Sequence, residues 1–234
     1  MNTILQDLKY GLRVMGKSRG FTAVAVVTLA LGIGAATTIF SVIDNVLLNP
    51  FPYVDAQRIV MINIHDDAES RPGGRSEFRD AEFLDLQEQN QVFDQVIGGT
   101  GQNILYFNGQ GTEQFDGGLV TPNMFQVLGV PALLGRTLVP DDAKPGAPPV
   151  FLMAYKLWAA RFNSDPKIVG RTFVLNNTPM TLIGVMPPRV TKLGADLWIP
   201  TIPDRSVAEK DGHFYMFQAH LKPGVTLRQA QADV

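Results

Sequence analysis

The sequence predicts an α+β domain carried behind one amino-terminal membrane-spanning helix. Three observations predict it. Phe21 to Ile43 is a run of 23 positions without a charged side chain. Beyond about residue 48, short β-branched and aromatic runs alternate with helix-periodic segments, separated by Gly, Pro and Asn. The 234-residue chain contains no cysteine, so ordinary packing, not disulfides or thiolate metal sites, holds the domain together. The expected division is a basic amphipathic helix and elbow over 1–20, a transmembrane helix over 21–48 and a folded domain over 49–234.

At about 1.5 Å rise per residue the uncharged run spans roughly 34 Å as a helix, against a hydrocarbon core of about 30 Å. Only a helix satisfies its own backbone groups when it crosses lipid as an isolated segment. A core helix of a soluble domain is the bland alternative, but such helices are usually shorter and have a polar face. Lys9, Arg13, Lys17 and Arg19 precede the run against the single acid Asp7, and the next basic residue is Arg58. The positive-inside rule therefore places the amino terminus in the cytoplasm and the domain outside. Cleavage as a signal peptide is disfavoured because the run is about twice a usual h-region and continues through Asp44 to Leu48.

Charge excludes one class of partner. The formal net charge is −2, and residues 1–20 carry +3 from four basic residues against Asp7, which leaves −5 for the rest. An acidic folded part argues against nucleic acid. The basic tip, with Lys9, Arg13, Lys17 and Arg19, suits contact with anionic lipid headgroups on the cytoplasmic surface.

Taken in order, residues 3–17 set Ile4, Leu5, Leu8, Leu12 and Met15 at helical spacing, an amphipathic helix lying on the membrane. Gly16 to Gly20 form the elbow. Within the span, Thr28, Gly32 and Ala36 recur every four residues, a small-residue face suited to close approach of another helix. Asn49-Pro50-Phe51-Pro52 ends the helix. Arg58 to Ile64 reads as a strand and His65 to Arg75 as a polar loop. Ser76 is the expected cap of a helix from Glu77 to about Gln89, with Phe78, Phe83, Leu84 and Leu86 inward and Asp80, Glu82, Asp85 and Glu88 outward.

From Val92 to Val120 the pattern predicts short strands with glycine turns, including a hairpin at Asn108-Gly109. Thr121-Pro122 opens a short helix. Val130 to Pro149 reads as a surface excursion anchored by Leu133, Leu134 and Leu138. Val150 to Ala154 is a strand and Tyr155 to Phe162 a helix burying Leu157, Trp158 and Phe162. A second hairpin turns at Asn176-Asn177 between Arg171 to Leu175 and Thr178 to Val185. Asp196 to Pro200 and Phe214 to Leu221 are strands, and Thr226 to Ala232 starts a helix.

Catalytic and metal chemistry is sought without result. His65-Asp66-Asp67 lacks a second ligand pair and reads as a solvated loop. His213 and His220 fall on opposite faces of a strand. Asp141-Asp142 sits in a Pro-rich loop and reads as a cap. No nucleophile, base and orienting group can be assembled, which sets aside a membrane-anchored hydrolase.

Three stretches together resemble the MacB/FtsX-type ABC transporter permeases, specifically their periplasmic core domain. They are the basic start leading into FTAVAVVTLALGIGAATTIFSVIDNVLL with PFPY, then VTPNMFQVLGVPALLGRTLVPDDAKPGAPPV, then LWAARFNSDPKIVGRTFVLNNTPMTLIGVMP followed by LKPGVTLRQAQADV. They cover nearly the whole chain, and the long uncharged first span is most similar to the acidobacterial group of such permeases. The resemblance implies a periplasmic mixed α/β core with a small inserted β-rich subdomain, in a bacterial inner (plasma) membrane protein. It implies a non-catalytic permease subunit coupling a cytoplasmic ATPase to the periplasmic domain for export or mechanical signalling. With no G-x-x-x-x-G-K-[ST] in the chain, ATP would be bound by a separate ABC-type ATPase subunit, leaving this chain without a cofactor. The implied partners are membrane lipid, that ATPase, further transmembrane helices of the full-length permease or a second copy, and a periplasmic partner protein. Since family members carry three further helices, the chain is expected to be an amino-terminal fragment. The alternative is a single-span, membrane-anchored periplasmic module that binds a ligand or protein.

Overall fold

The computed structural model describes residues 10, 17–43, 53–64, 75–190, 192–206 and 214–233. The chain divides into two compact units, residues 1–51 and 52–234. In the first, helix α1 (Arg19–Ile43) covers the uncharged run and is long and apolar enough to cross a membrane. Phe21, Leu29, Leu31, Ile33 and Phe40 on it are exposed. The Thr28, Thr37 and Thr38 hydroxyls donate to the carbonyls of Val24, Ile33 and Gly34, at 2.9, 2.7 and 2.8 Å. Polar side chains are thus satisfied within the helix, as apolar surroundings require. Apart from Tyr10 and Lys17, the expected helix over 3–17 with Lys9 and Arg13 lies outside the described residues, as do the Asn49 to Pro52 break, the His65 to Asp67 cluster and His213.

The second unit is built on ten strands among the described residues: β1 (Ile59–Met61), β2 (Glu77–Arg79), β3 (Phe93–Phe107), β4 (Thr112–Val120), β5 (Leu134–Gly135), β6 (Val150–Met153), β7 (Thr172–Leu175), β8 (Thr178–Val185), β9 (Leu197–Pro200) and β10 (Phe214–Leu221). Helices α2 (Asp80–Gln89), α3 (Met124–Val127), α4 (Tyr155–Phe162) and α5 (Leu227–Asp233) pack with them. β10 is a hub, antiparallel to β3 on one side and to β1 and β2 on the other. β3 has two sets of partners, because residues 93–99 face β10 and residues 99–107 face β4. From β4 the order continues through β9, β6 and β8 to β5. β7 then joins β8 back to the far end of β3, through Tyr106 opposite Leu175 and Phe107 opposite Val174. The pairings β3-β4-β9-β6-β8-β7-β3 therefore return on themselves.

Three cores form among the described residues. Ile104, Phe115, Phe151, Phe173, Leu182 and Leu197 fill the closed ring of strands, whose β5 to β9 and α4 are a β-rich insertion in sequence between β4 and β10. Phe78, Phe83, Tyr215 and Phe217 make an aromatic core between α2 and β10, with Phe78 and Phe217 stacked at 4.4 Å. Val120, Phe125, Leu128, Leu138 and Trp198 form the third.

Several local expectations need correction. The glycines of 98–118 were expected to mark turns, yet Gly98, Gly99, Gly101, Gly117 and Gly118 sit inside the continuous β3 and β4. A Cβ on Gly117 would lie 2.3 Å from Ile104, one on Gly118 2.9 Å from Trp198, and one on Gly98 3.1 Å from Phe217. Glycine there admits a large neighbour instead of bending the chain. The hairpin does turn at Asn108, but over Asn108 to Gly111: the Asn108 side-chain oxygen accepts from the Gln110 and Gly111 N–H groups, both at 2.9 Å. Asn176 and Asn177 form the two-residue turn expected of them, with φ 47° and 62°.

Residues 77–79 are strand, not the first turn of a helix, because they hydrogen-bond to β10. α2 begins at Asp80, and Glu82, not Ser76, closes its first turn by accepting from Arg79 N at 2.8 Å while holding the Arg75 guanidinium at 2.9 and 2.6 Å. Asp80, expected outward, is buried. In the excursion Leu138 is fully buried and Leu134 joins β5, whereas Leu133 stays exposed. Asp142 is a cap as expected, accepting from Val139 N at 2.9 Å.

Candidate functional site

Polar side chains converge where α2, α3, β3 and β10 meet, around an open cleft of ≈ 610 Å³. Each element contributes from its own register. Gln95 of β3 stands directly opposite His220 of β10, and both line the cleft. The Thr121-Pro122-Asn123 link from β4 to α3 forms a second wall: Asn123 donates to the Gln95 side-chain oxygen and to Val96 O, both at 3.3 Å, while buried Thr121 accepts from Gly98 N at 3.1 Å. Gln126 and Val127 come from α3, Leu84 and Gln87 from α2. Among the described residues, the Gln87 and Gln126 side chains have no hydrogen-bond partner.

His220 is held from behind. Its Nδ1 lies 2.8 Å from Asp94 Oδ1, and the other Asp94 oxygen accepts from Arg58 at 3.0 Å. Arg58 Nε donates in turn to Leu221 O at 2.9 Å. A carboxylate can only accept, so Nδ1 carries a proton and Nε2 is the nitrogen left for another partner.

The remaining wall is a strap, Thr201 to Pro203, and the following residues pin it to α2. Asp204 N donates to buried Asp80 at 3.1 Å, and Arg205 bridges Asp85 at 2.6 Å and Glu88 at 2.9 Å. Beside Asp80, burial pushes the Tyr215 hydroxyl up to about 12.

Lys192 is a half-buried cation on the same sheet unit. Its ammonium meets the Gln218 side-chain oxygen and lies 5.7 Å from the Tyr53 ring centroid. The Lys192–Gly194 turn is held by Trp198, which donates to Lys192 O at 3.1 Å, and by Leu193, which at φ 60° packs over Gly99 and Gly118. Burial lowers the Lys192 pKa to about 8.

The residues singled out in the sequence fall elsewhere. Thr28, Gly32 and Ala36 are exposed along α1, and Lys17 and Arg19 are exposed at its start. Lys9 and Arg13 lie outside the described residues. No grouping of His, Asp and Glu among the described residues could hold a metal ion. Asp141 pairs with Lys144 at 2.6 Å and Asp142 with Arg136 at 2.6 Å. The cleft itself was missed, because its amides come one or two at a time from separate elements and have no motif spacing. The signal available was His220, on the strand face opposite the buried Phe217, Ala219 and Leu221, which only the pairing with β3 turns into a site.

Residues 22–234 match the family model described as MacB-like periplasmic core domain. Among solved structures, the chain is similar to the periplasmic region of MacB from Actinobacillus actinomycetemcomitans, with 16% identity and TM-score 0.56 over 74% of this chain and 78% of that one. It is also similar to the extracellular domain of the ABC-type transporter YknZ from Gram-positive bacteria, with 13% identity and TM-score 0.53 over 75% and 88%. No curated protein sequence matches significantly.

Proposed function

Because the chain belongs to the MacB-like periplasmic core domain family, we propose that it is the first membrane helix and periplasmic domain of a non-catalytic permease subunit of ABC type. The observation that carries this is continuity: the family match begins at residue 22, inside α1, and runs on through the sheet unit. In this reading α1 anchors the domain in the bacterial inner membrane and Lys9, Arg13, Lys17 and Arg19 meet cytoplasmic headgroups. Thr28, Gly32 and Ala36 pack against further helices of the permease or a second copy. ATP is bound by a partner ATPase, and the chain relays that subunit's conformational change to the periplasmic side for export or mechanical signalling.

The absence of cysteine makes the test direct. A single cysteine at Gln110, on the exposed hairpin turn, should react with a membrane-impermeant maleimide in intact spheroplasts. One at Lys17 should react only after permeabilisation. The opposite labelling would overturn the topology. Co-purification of an ABC-type ATPase with the full-length protein, lost on deleting residues 1–17, is the expected partner result. An intact protein that binds no ATPase would favour the single-span binding module.

A further inference from the structure

The cleft between α2, α3, β3 and β10 has a composition that selects a class of ligand. None of the side chains lining it is an acid, a lysine or an arginine. The charges nearest to it are already engaged, Asp94 with Arg58 and His220, and Arg205 with Asp85 and Glu88. A charged ligand would lose water there without gaining a counter-charge. What the cleft offers instead is amides. Gln87 and Gln126 each present a carbonyl oxygen and two N–H donors, and with Asn123 already donating to Gln95 and Val96, Gln95 keeps its N–H donors and Asn123 its oxygen, so that the set offers partners for both the N–H and the C=O of a peptide group. Leu84, Val127 and the exposed Ile202 supply apolar surface between them. A sugar is a poorer fit, since Phe83, the aromatic side chain of the lining, is only 2% exposed and offers no ring face for stacking.

We propose that this cleft binds a short, uncharged, extended peptide segment, its backbone held by Gln87, Gln95, Asn123 and Gln126 and its apolar side chains by Leu84, Val127 and Ile202. The cleft volume lies within the range of small-ligand sites, about 300–1,000 Å³. His220, with Nδ1 committed to Asp94, presents Nε2 as an acceptor for one further peptide N–H. The unpaired amides of Gln87 and Gln126 exchange solvent for peptide hydrogen bonds at little cost, because no existing contact is broken.

The test uses the full chain in detergent micelles and isothermal titration of the blocked tetrapeptide acetyl-Leu-Ala-Val-Ala-amide. Saturable one-to-one binding is expected. Gln87→Leu and Gln126→Leu, both at exposed positions that leave folding intact, should each weaken it roughly three- to tenfold, the size of one lost amide hydrogen bond. Gln110→Leu on the distant hairpin turn should change nothing. Peptides with Glu or Lys in place of Val, and maltotetraose, should bind at least about tenfold more weakly, since the site offers no counter-charge or ring platform. Heats that do not saturate and ignore both glutamine variants are micelle partitioning and overturn the proposal. So does equal or tighter binding of the charged peptides or of maltotetraose.

Discussion

Glycine has opposite uses in the two units. On α1, a Cβ added to Gly32 or Gly34 would meet nothing within 4 Å. In the sheet, a Cβ on Gly184 would lie 2.3 Å from Arg136 O, and one on Gly135, at φ +72°, 2.1 Å from Ile183 O. These two glycines face each other across β5 and β8, beside the irregularity in the β6 to β8 pairing. In the sheet the close approach is already made, whereas on α1 these glycines meet no neighbour among the described residues. A glycine is therefore informative only together with what stands opposite it.

The largest expected effect separates the two uses. Gly184→Ala should cost more than about 3 kcal/mol or prevent folding, because a backbone carbonyl cannot give way as a side-chain end can. Gly32→Ala should move the melting temperature of the same detergent-solubilised protein by no more than the equivalent of about 0.5 kcal/mol. Equal melting of both variants would break the distinction.

Next is Lys192, where the sheet unit holds a charge that burial disfavours. Unfolded lysine keeps its proton to about pH 10.4, and folded Lys192 to about 8. Between those values the unfolded chain binds more protons, so stability should rise as pH goes from 8 towards 10. Above 10 the sign reverses, since folded Tyr215 holds its proton to about 12 and the unfolded tyrosine loses it first. Lys192→Met should add about 1–3 kcal/mol at pH 7 and flatten the rise between 8 and 10. Denaturant unfolding at several pH values reads both.

Smaller effects refine the picture. Asn177→Val, placing a β-branched residue at φ 62°, should cost about 1–2 kcal/mol. Asn177→Gly should be within a few tenths of neutral. Arg205→Ala removes ion pairs of which every partner is more than 40% exposed, so its cost should stay below about 1 kcal/mol and fade with added salt.

These cases also show what was legible before the structure. Elements set by local chemistry were read correctly: the uncharged α1, the Asn176-Asn177 turn, and α4 with Leu157 and Trp158 buried. Features set by a distant partner were not. Residues 77–79 carry a helix-like pattern yet become strand, because β10, more than 130 positions later, offers them hydrogen bonds. Gly98-Gly99 and Gly117-Gly118 looked like turns, since the Phe217, Leu193 and Trp198 that they admit are remote in sequence. The cleft is illegible for the same reason. Gln95 and His220 are separated by 125 positions and become neighbours only through one strand pairing.

The hub position of β10 has a consequence for the order of folding. β1, β2 and the first half of β3 all find a partner in a strand that the ribosome delivers more than 100 residues after them. The β3-β4 hairpin can close early, whereas its outer edge and the apolar faces of Phe78 and Phe83 wait. During that interval the nascent domain is a sheet with an open seam, the state most prone to pairing with another chain. Slow loop closure of this size sets the tempo of maturation, and a chaperone that shields strand edges should act on this chain before residues 214–221 emerge.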